Sequence, residues 1–162
     1  TGKTEIIMAD TFTIQYSGRV TPIEEVQAID GSKTRIVHSN IDKIFSGSSE
    51  VAISGTSTRI QYKDYTTTTS RVSLEHGDIL NGDLDIEFMF IKIREAASTG
   101  TPDCLIDYNG GGGVYTLMKL IGVNDFLIFP RINSETDGGN FYLLSSGSTT
   151  LAKVDILIGE YE

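Results

Sequence analysis

Apolar and polar residues alternate with a period of two along most of this 162-residue chain, and Gly, Ser, Thr and Asn clusters break the alternation into short pieces. That period marks β-strands with one face buried. The pattern is densest in residues 83–132, DLDIEFMFIKIREAASTGTPDCLIDYNGGGGVYTLMKLIGVNDFLIFPRI, where four apolar runs are separated by turn signals. This stretch is the expected sheet core. In its first run Leu84, Ile86, Phe88 and Phe90 share one face, and Asp83, Asp85 and Glu87 share the other. The phase then inverts. Met89, Ile91 and Ile93 become the apolar set, and Lys92 and Arg94 take the face that held Phe90. A strand with a single solvent face cannot do this. Either a bulge near Met89 resets the register, or residues 89–93 are covered on both sides by a long loop or a second subunit. The second alternative makes Met89, Ile91 and Ile93 candidate interface residues.

The rest of the chain follows the same grammar. Residues 1–8, with Ile6, Ile7 and Met8 as their one apolar cluster, read as an N-terminal arm whose apolar cluster is a second candidate interface. Phe12, Ile14 and Tyr16 then form one face of a half-buried strand. Residues 22–30 carry two competing signals. Thr21-Pro22-Ile23-Glu24 suits the start of a short helix, whereas Asp30-Gly31 suits a hairpin pairing 26–29 with 34–37. Short strands with turns at 46–49 and 55–57 are expected up to residue 82. Beyond the core, Cys104, Ile106 and Tyr108 form an inward row, Gly110 to Gly113 a turn, and Pro130 the end of the run 126–129. Residues 133–140 form a polar loop. Val154, Ile156 and Ile158 belong to a closing strand, followed by an acidic tail, 159–162. Strands at this spacing predict an all-β chain: one antiparallel β-sandwich over residues 9–162, of which a jelly roll is one form, with at most one short helix near residues 22–30.

Composition sharpens this. Seventeen glycines fit frequent turns, and 39% hydrophobic residues suffice for one core. The net charge of −9 argues against a nucleic-acid partner, because phosphate affinity comes from Lys and Arg. The acidity is uneven: residues 83–162 hold 5 basic and 12 acidic side chains. A single cysteine, Cys104, forms no intramolecular disulfide and fits assembly in a reducing cytosol. No apolar run approaches the length of a membrane-spanning helix, and no signal peptide is expected.

Candidate chemistry is sparse. The run Gly110-Gly111-Gly112-Gly113 lacks the Lys and the following helix of a phosphate-binding loop, so it reads as a hairpin turn. His38 and His76 have no second ligand at metal spacing, and Cys104 stands alone, so no zinc site is expected. Asp78, Asn81, Asp83, Asp85 and Glu87 offer oxygen ligands for calcium, but their alternation is what a solvated strand face produces. No serine lies in a G-x-S-x-G elbow. The expectation is a protein with no catalytic residue, no cofactor and no metal.

The stretch DYNGGGGVYTLMKLIGVNDFLIFPR, preceded by FMFIKI and followed by the closing KVDILIGEYE, resembles a theme in virion proteins of tailed bacteriophages. The resemblance covers residues 83–162 and rests on turn chemistry and alternation. Four consecutive glycines and the loop at 133–140 depart from it. It implies a structural virion protein, a capsid decoration or cement protein that stabilises the shell through protein–protein contacts. The implied partners are the major capsid protein or another virion protein and further copies of itself, as a trimer or dimer. The implied location is the virion, assembled in the host cytoplasm. In this reading residues 1–8 are the docking arm. The alternative is a receptor- or carbohydrate-binding module of a phage tail or fibre, reading its target through the loops at 95–102 and 133–140. The absence of Trp weakens the carbohydrate version.

Overall fold

The fold is seen in a computed structural model that describes residues 5–75, 79–80, 85–95, 104–109, 111–132, 140–146 and 151–161, with side chains for all of these except 5–10, 42 and 56. Among the described residues, eleven strands and one short helix follow in chain order: β1 (Glu5–Arg19), β2 (Ile23–Gln27), β3 (Lys33–Val37), α1 (Ser39–Ile44), β4 (Ser46–Thr66), β5 (Val72–Ser73), β6 (Asp85–Glu95), β7 (Cys104–Asn109), β8 (Val114–Leu120), β9 (Phe126–Phe129), β10 (Phe141–Ser145) and β11 (Lys153–Tyr161). They form a five-stranded sheet in the order β1-β4-β11-β6-β9, a four-stranded sheet in the order β5-β10-β7-β8, and a two-stranded ribbon, β2-β3. The fold is all-β, with antiparallel sheets packed face to face as in a β-sandwich.

By its contacts the chain divides into two units, residues 1–13 with 51–162 and residues 14–50, where the sequence suggested one domain from residue 9. The larger unit holds the core. Ile86, Met89, Ile91 and Ile93 of β6, Val154, Ile156 and Ile158 of β11, and Leu127 of β9 pack with Cys104, Ile106, Leu120, Phe141 and Leu143 of the facing sheet. Burying each such aliphatic side chain contributes about 1.5–3 kcal/mol. Leu74, Ile79, Leu80 and Ala152 complete the cluster. The ring of Tyr108 tilts against Phe141 at 5.1 Å. Beyond the end of β4 the Thr67 hydroxyl donates to the Ala152 carbonyl and accepts from the Ala152 N–H, each at 3.1 Å. These bonds continue the β4–β11 pairing into the loop.

The phase inversion in β6 has a local cause. Ile86 opposes Glu160 and Phe88 opposes Gly159, so Glu87 is an extra residue in the ladder with β11. This bulge moves Ile86 onto the face of Met89, Ile91 and Ile93, and turns Phe88 and Phe90 to the opposite face. The bulge is therefore the alternative realised.

Of the two readings of residues 22–30 the hairpin is the one realised and no helix forms there: β2 and β3 pair with Ile23 opposite Val37 and Gln27 opposite Lys33, and the short helix lies at α1. Asp30 settles this, because its Oδ1 accepts from the N–H and the hydroxyl of Ser32, and Gly31 supplies φ 84° for the turn. Residues 46–49 and 55–57 are not turns but parts of the 21-residue β4, since hydrogen-bonded neighbours outweigh the weak strand propensity of Gly and Ser. Residues 159–161 are not a tail; they end β11 between β4 and β6. Of the expected arm, residues 5–8 are the start of β1.

Candidate functional site

The six residues singled out from the sequence are not brought together as a surface. Met89, Ile91 and Ile93 are fully buried in the chain's own core. Ile6, Ile7 and Met8 lie on β1, and their side chains fall outside the described residues. His76, Asp78, Asn81 and Asp83, and residues 96–103 and 133–139 of the two loops, also fall outside them. Among the described residues no three His, Cys, Asp or Glu side chains come together in a way that could hold a metal. Gly111 to Gly113 lie in the β7–β8 turn: Asn109 opposes Val114, the Asn109 side chain accepts from the Gly111 N–H at 3.1 Å, and Gly111 and Gly113 have φ of 86° and 137°. Cys104 is buried, and desolvation pushes its thiol up to about 12, so it is no nucleophile at neutral pH.

Two buried carboxylates serve the interior. Asp107 accepts from Arg71 Nε at 2.8 Å and from the Thr116 hydroxyl at 2.7 Å, which ties β7 to β8 and to the residue before β5. Glu160 accepts from Arg59 and from the Gln61 amide at 2.7 Å across the β4–β11 pair. Burial raises the Glu160 carboxyl, and the bonds from Arg59 and Gln61 offset this in part.

The outward face of the five-stranded sheet is where chemistry collects. Cross-strand register sets Tyr62, Leu157, Phe90 and Ile128 in one row across β4, β11, β6 and β9. The adjoining row in the same order is Asp64, Asp155, Lys92 and Phe126. Tyr62 and Phe126 are exposed, at 42% and 52%; Leu157, Phe90 and Ile128 are half-buried. The Phe90 and Phe126 rings lie 6.1 Å apart. Arg94 reaches Asp64 at 3.3 Å and Asp155 at 3.6 Å, and the Tyr62 hydroxyl donates to Asp155 at 3.4 Å. Desolvation first, and then the Asp155 charge, raise the Tyr62 phenol, so it stays a neutral donor. An apolar row four strands wide, bordered by a charged row, is a platform for a protein or a flat ligand. Sequence reading missed it because Phe90 was placed inward; Phe88, which opposes Gly159 beyond the row, is buried. Lys92 and Arg94, in phase with Phe90, were the signal that this row faces out.

The second surface is the unit of residues 14–50. None of its described side chains is buried. Val20, Ile44 and Phe45 are exposed beside α1, as are Ile23, Val26, Ile29, Ile36 and Val37 on the ribbon. Tyr16, Val20, Phe45 and Gly47 line a shallow depression between the end of β1 and the start of β4, where the Val20 N–H donates to the Phe45 carbonyl at 3.1 Å.

Comparison with protein-family models, with curated proteins and with solved structures finds no match to this chain.

Proposed function

We propose that this protein is a non-catalytic structural component of a virion, a decoration or cement protein that lies on a capsid shell and stabilises it through protein–protein contacts. The observation that carries this reading is the outward row Tyr62–Leu157–Phe90–Ile128 with its charged border. The solvent face of an antiparallel sheet is ordinarily polar, so an apolar row across four strands favours a covering partner. The charged row would set orientation and the apolar row would supply the contact area. The resemblance of residues 83–162 to tailed-phage virion proteins points the same way.

The test is binding to purified capsid shells that lack decoration. Co-sedimentation of the protein with shells, and a rise in shell disruption temperature, are expected. Tyr62→Asp combined with Leu157→Asp should abolish both while leaving the protein's own melting temperature within a few degrees. Equal binding by this variant would overturn the assignment of the face.

The exposed rings of Tyr62 and Phe126 favour one second reading, a recognition module of a tail or fibre that stacks a sugar. Binding of the isolated protein to a glycan array, lost in Phe126→Ser, would select it over the first.

A further inference from the structure

The β2-β3 ribbon is regular and yet has no core. Its five residue pairs run without irregularity from Ile23–Val37 to Gln27–Lys33, and the His38 N–H extends the pairing to the Pro22 carbonyl at 3.1 Å. The turn is fixed by the Ala28 N–H to Ser32 carbonyl bond at 2.8 Å and by Asp30. Every side chain of both strands is exposed. A two-stranded ribbon is marginal in water and needs a third strand or a packed face.

Charge says what the third strand is. β2 (IEEVQ) carries Glu24 and Glu25 and no cation; β3 (KTRIV) carries Lys33 and Arg35 and no anion. Within the ribbon Glu25 pairs with Lys33 at 2.7 Å and Glu24 lies 3.5 Å from His38. Arg35 makes no ion pair among the described residues. Placing β2 of one copy beside β2 of another, or β3 beside β3, opposes like charges, which is unfavourable on a sheet. Lys33, Arg35 and Glu25 share one face of the ribbon and Glu24 lies on the other, so placing β3 of one copy beside β2 of the next with that face continuous opposes Lys33 and Arg35 to Glu25. The whole of residues 14–50 has four basic and five acidic residues, net −1, against −8 on the rest of the chain. Copies therefore repel one another least where they meet through this unit.

We propose that the β2-β3 ribbon is a self-assembly edge: β3 of one copy adds to β2 of the next, head to tail, and closes a ring of three or more copies. The contact is heterologous, so it does not generate a two-fold dimer from one self-complementary patch. Backbone pairing supplies the contact, and the exposed Ile23, Val26, Ile36 and Val37 lose water on joining. The proposal is independent of what the assembly covers.

Light scattering of the full chain is expected to give a mass of three or more copies; a monomer or a dimer up to the solubility limit overturns the proposal. The decisive variant is the fourfold exchange Glu24→Lys, Glu25→Lys, Lys33→Glu, Arg35→Glu, which keeps opposite charges across the ribbon and so spares its fold. It should form the same ring alone yet be excluded from rings of tagged wild type, because every mixed contact opposes like charges. Preferential co-purification of the exchange variant with wild type would indicate like-strand pairing and overturn the head-to-tail contact. Capsid binding through the outward sheet face is read separately, so loss of the ring and loss of shell binding are distinguishable.

Discussion

Arg59 and Glu160 face each other across β4 and β11, and the Arg59 guanidinium donates to a carboxylate that is 1% exposed. The pair is buried on the core side of the central sheet, with Gln61 as a second donor. One guanidinium nitrogen, Nη2, is buried with no hydrogen-bond partner among the described residues. The site is thus a charged junction in an otherwise apolar layer. Glu160→Ala leaves Arg59 charged and unpaired, which should destabilise by about 3 kcal/mol. Glu160→Gln keeps an acceptor and should lose less. Urea titration of both variants checks the order.

The same carboxyl gives a pH dependence. Burial holds its value above the ordinary 4.5. The folded protein then binds this proton more tightly than the unfolded chain does. Its contribution favours folding below the ordinary value and is lost as pH rises through the raised folded value. Wild type should therefore gain melting temperature relative to Glu160→Gln as pH falls from neutrality towards the ordinary carboxylate range. A gap that narrows over that interval would refute the sign.

Ile91 lies in the middle of the core row of β6, opposite Ile156 and Leu127. Ile91→Ala should cost about 2–5 kcal/mol. Ile91→Asp should prevent folding altogether, and not merely change the oligomeric state, because the carboxylate would enter a closed apolar layer. Circular dichroism and denaturant titration distinguish these outcomes from a surface effect.

The two kinds of glycine in the β7–β8 turn should separate. Gly111 holds φ 86°, where a Cβ is strained, whereas Gly112 has no such backbone and open space around it. Gly111→Ala should destabilise by about 1 kcal/mol and Gly112→Ala should be close to neutral. Thermal melts of the two variants measure the difference.

Cys104 should resist alkylation in the native protein at mildly alkaline pH and react on unfolding, since burial raises its thiol to about 12. Mass spectrometry after iodoacetamide treatment, with and without urea, tests this. Fast native labelling would place the residue outside the core.

The strand content was legible because alternation is local. Phe12, Ile14 and Tyr16, or Val154, Ile156 and Ile158, declare a shared face within five residues, and the structure places them so. The glycine turn and the end of β9 at Pro130 were legible from backbone chemistry alone. What could not be read was pairing. The serine and glycine segments of β4 look like loops until their hydrogen-bonded neighbours are known, and Glu160 looks like tail until β4 and β6 lie on either side. The bulge was foreseen as one of two options, but the choice between them is a property of the β6–β11 ladder. The outward apolar row emerged only when four strands from distant parts of the chain were set in register.

The sheet order carries a consequence for biosynthesis. β11 lies between β4 and β6, although it follows every other strand of that sheet in the chain. While residues 153–161 are still in the ribosome, β4 and β6 have an empty lane between them and β6 can pair on its β9 side only. Pairing must then close loops of about ninety residues between β4 and β11, as in Tyr62 with Leu157. Such late, long-range closure is slow and leaves strand edges open in the nascent chain. Closure of this sheet therefore waits for β11 to emerge, and slowing synthesis ahead of residues 153–161 should prolong the interval in which the emerging chain depends on chaperones.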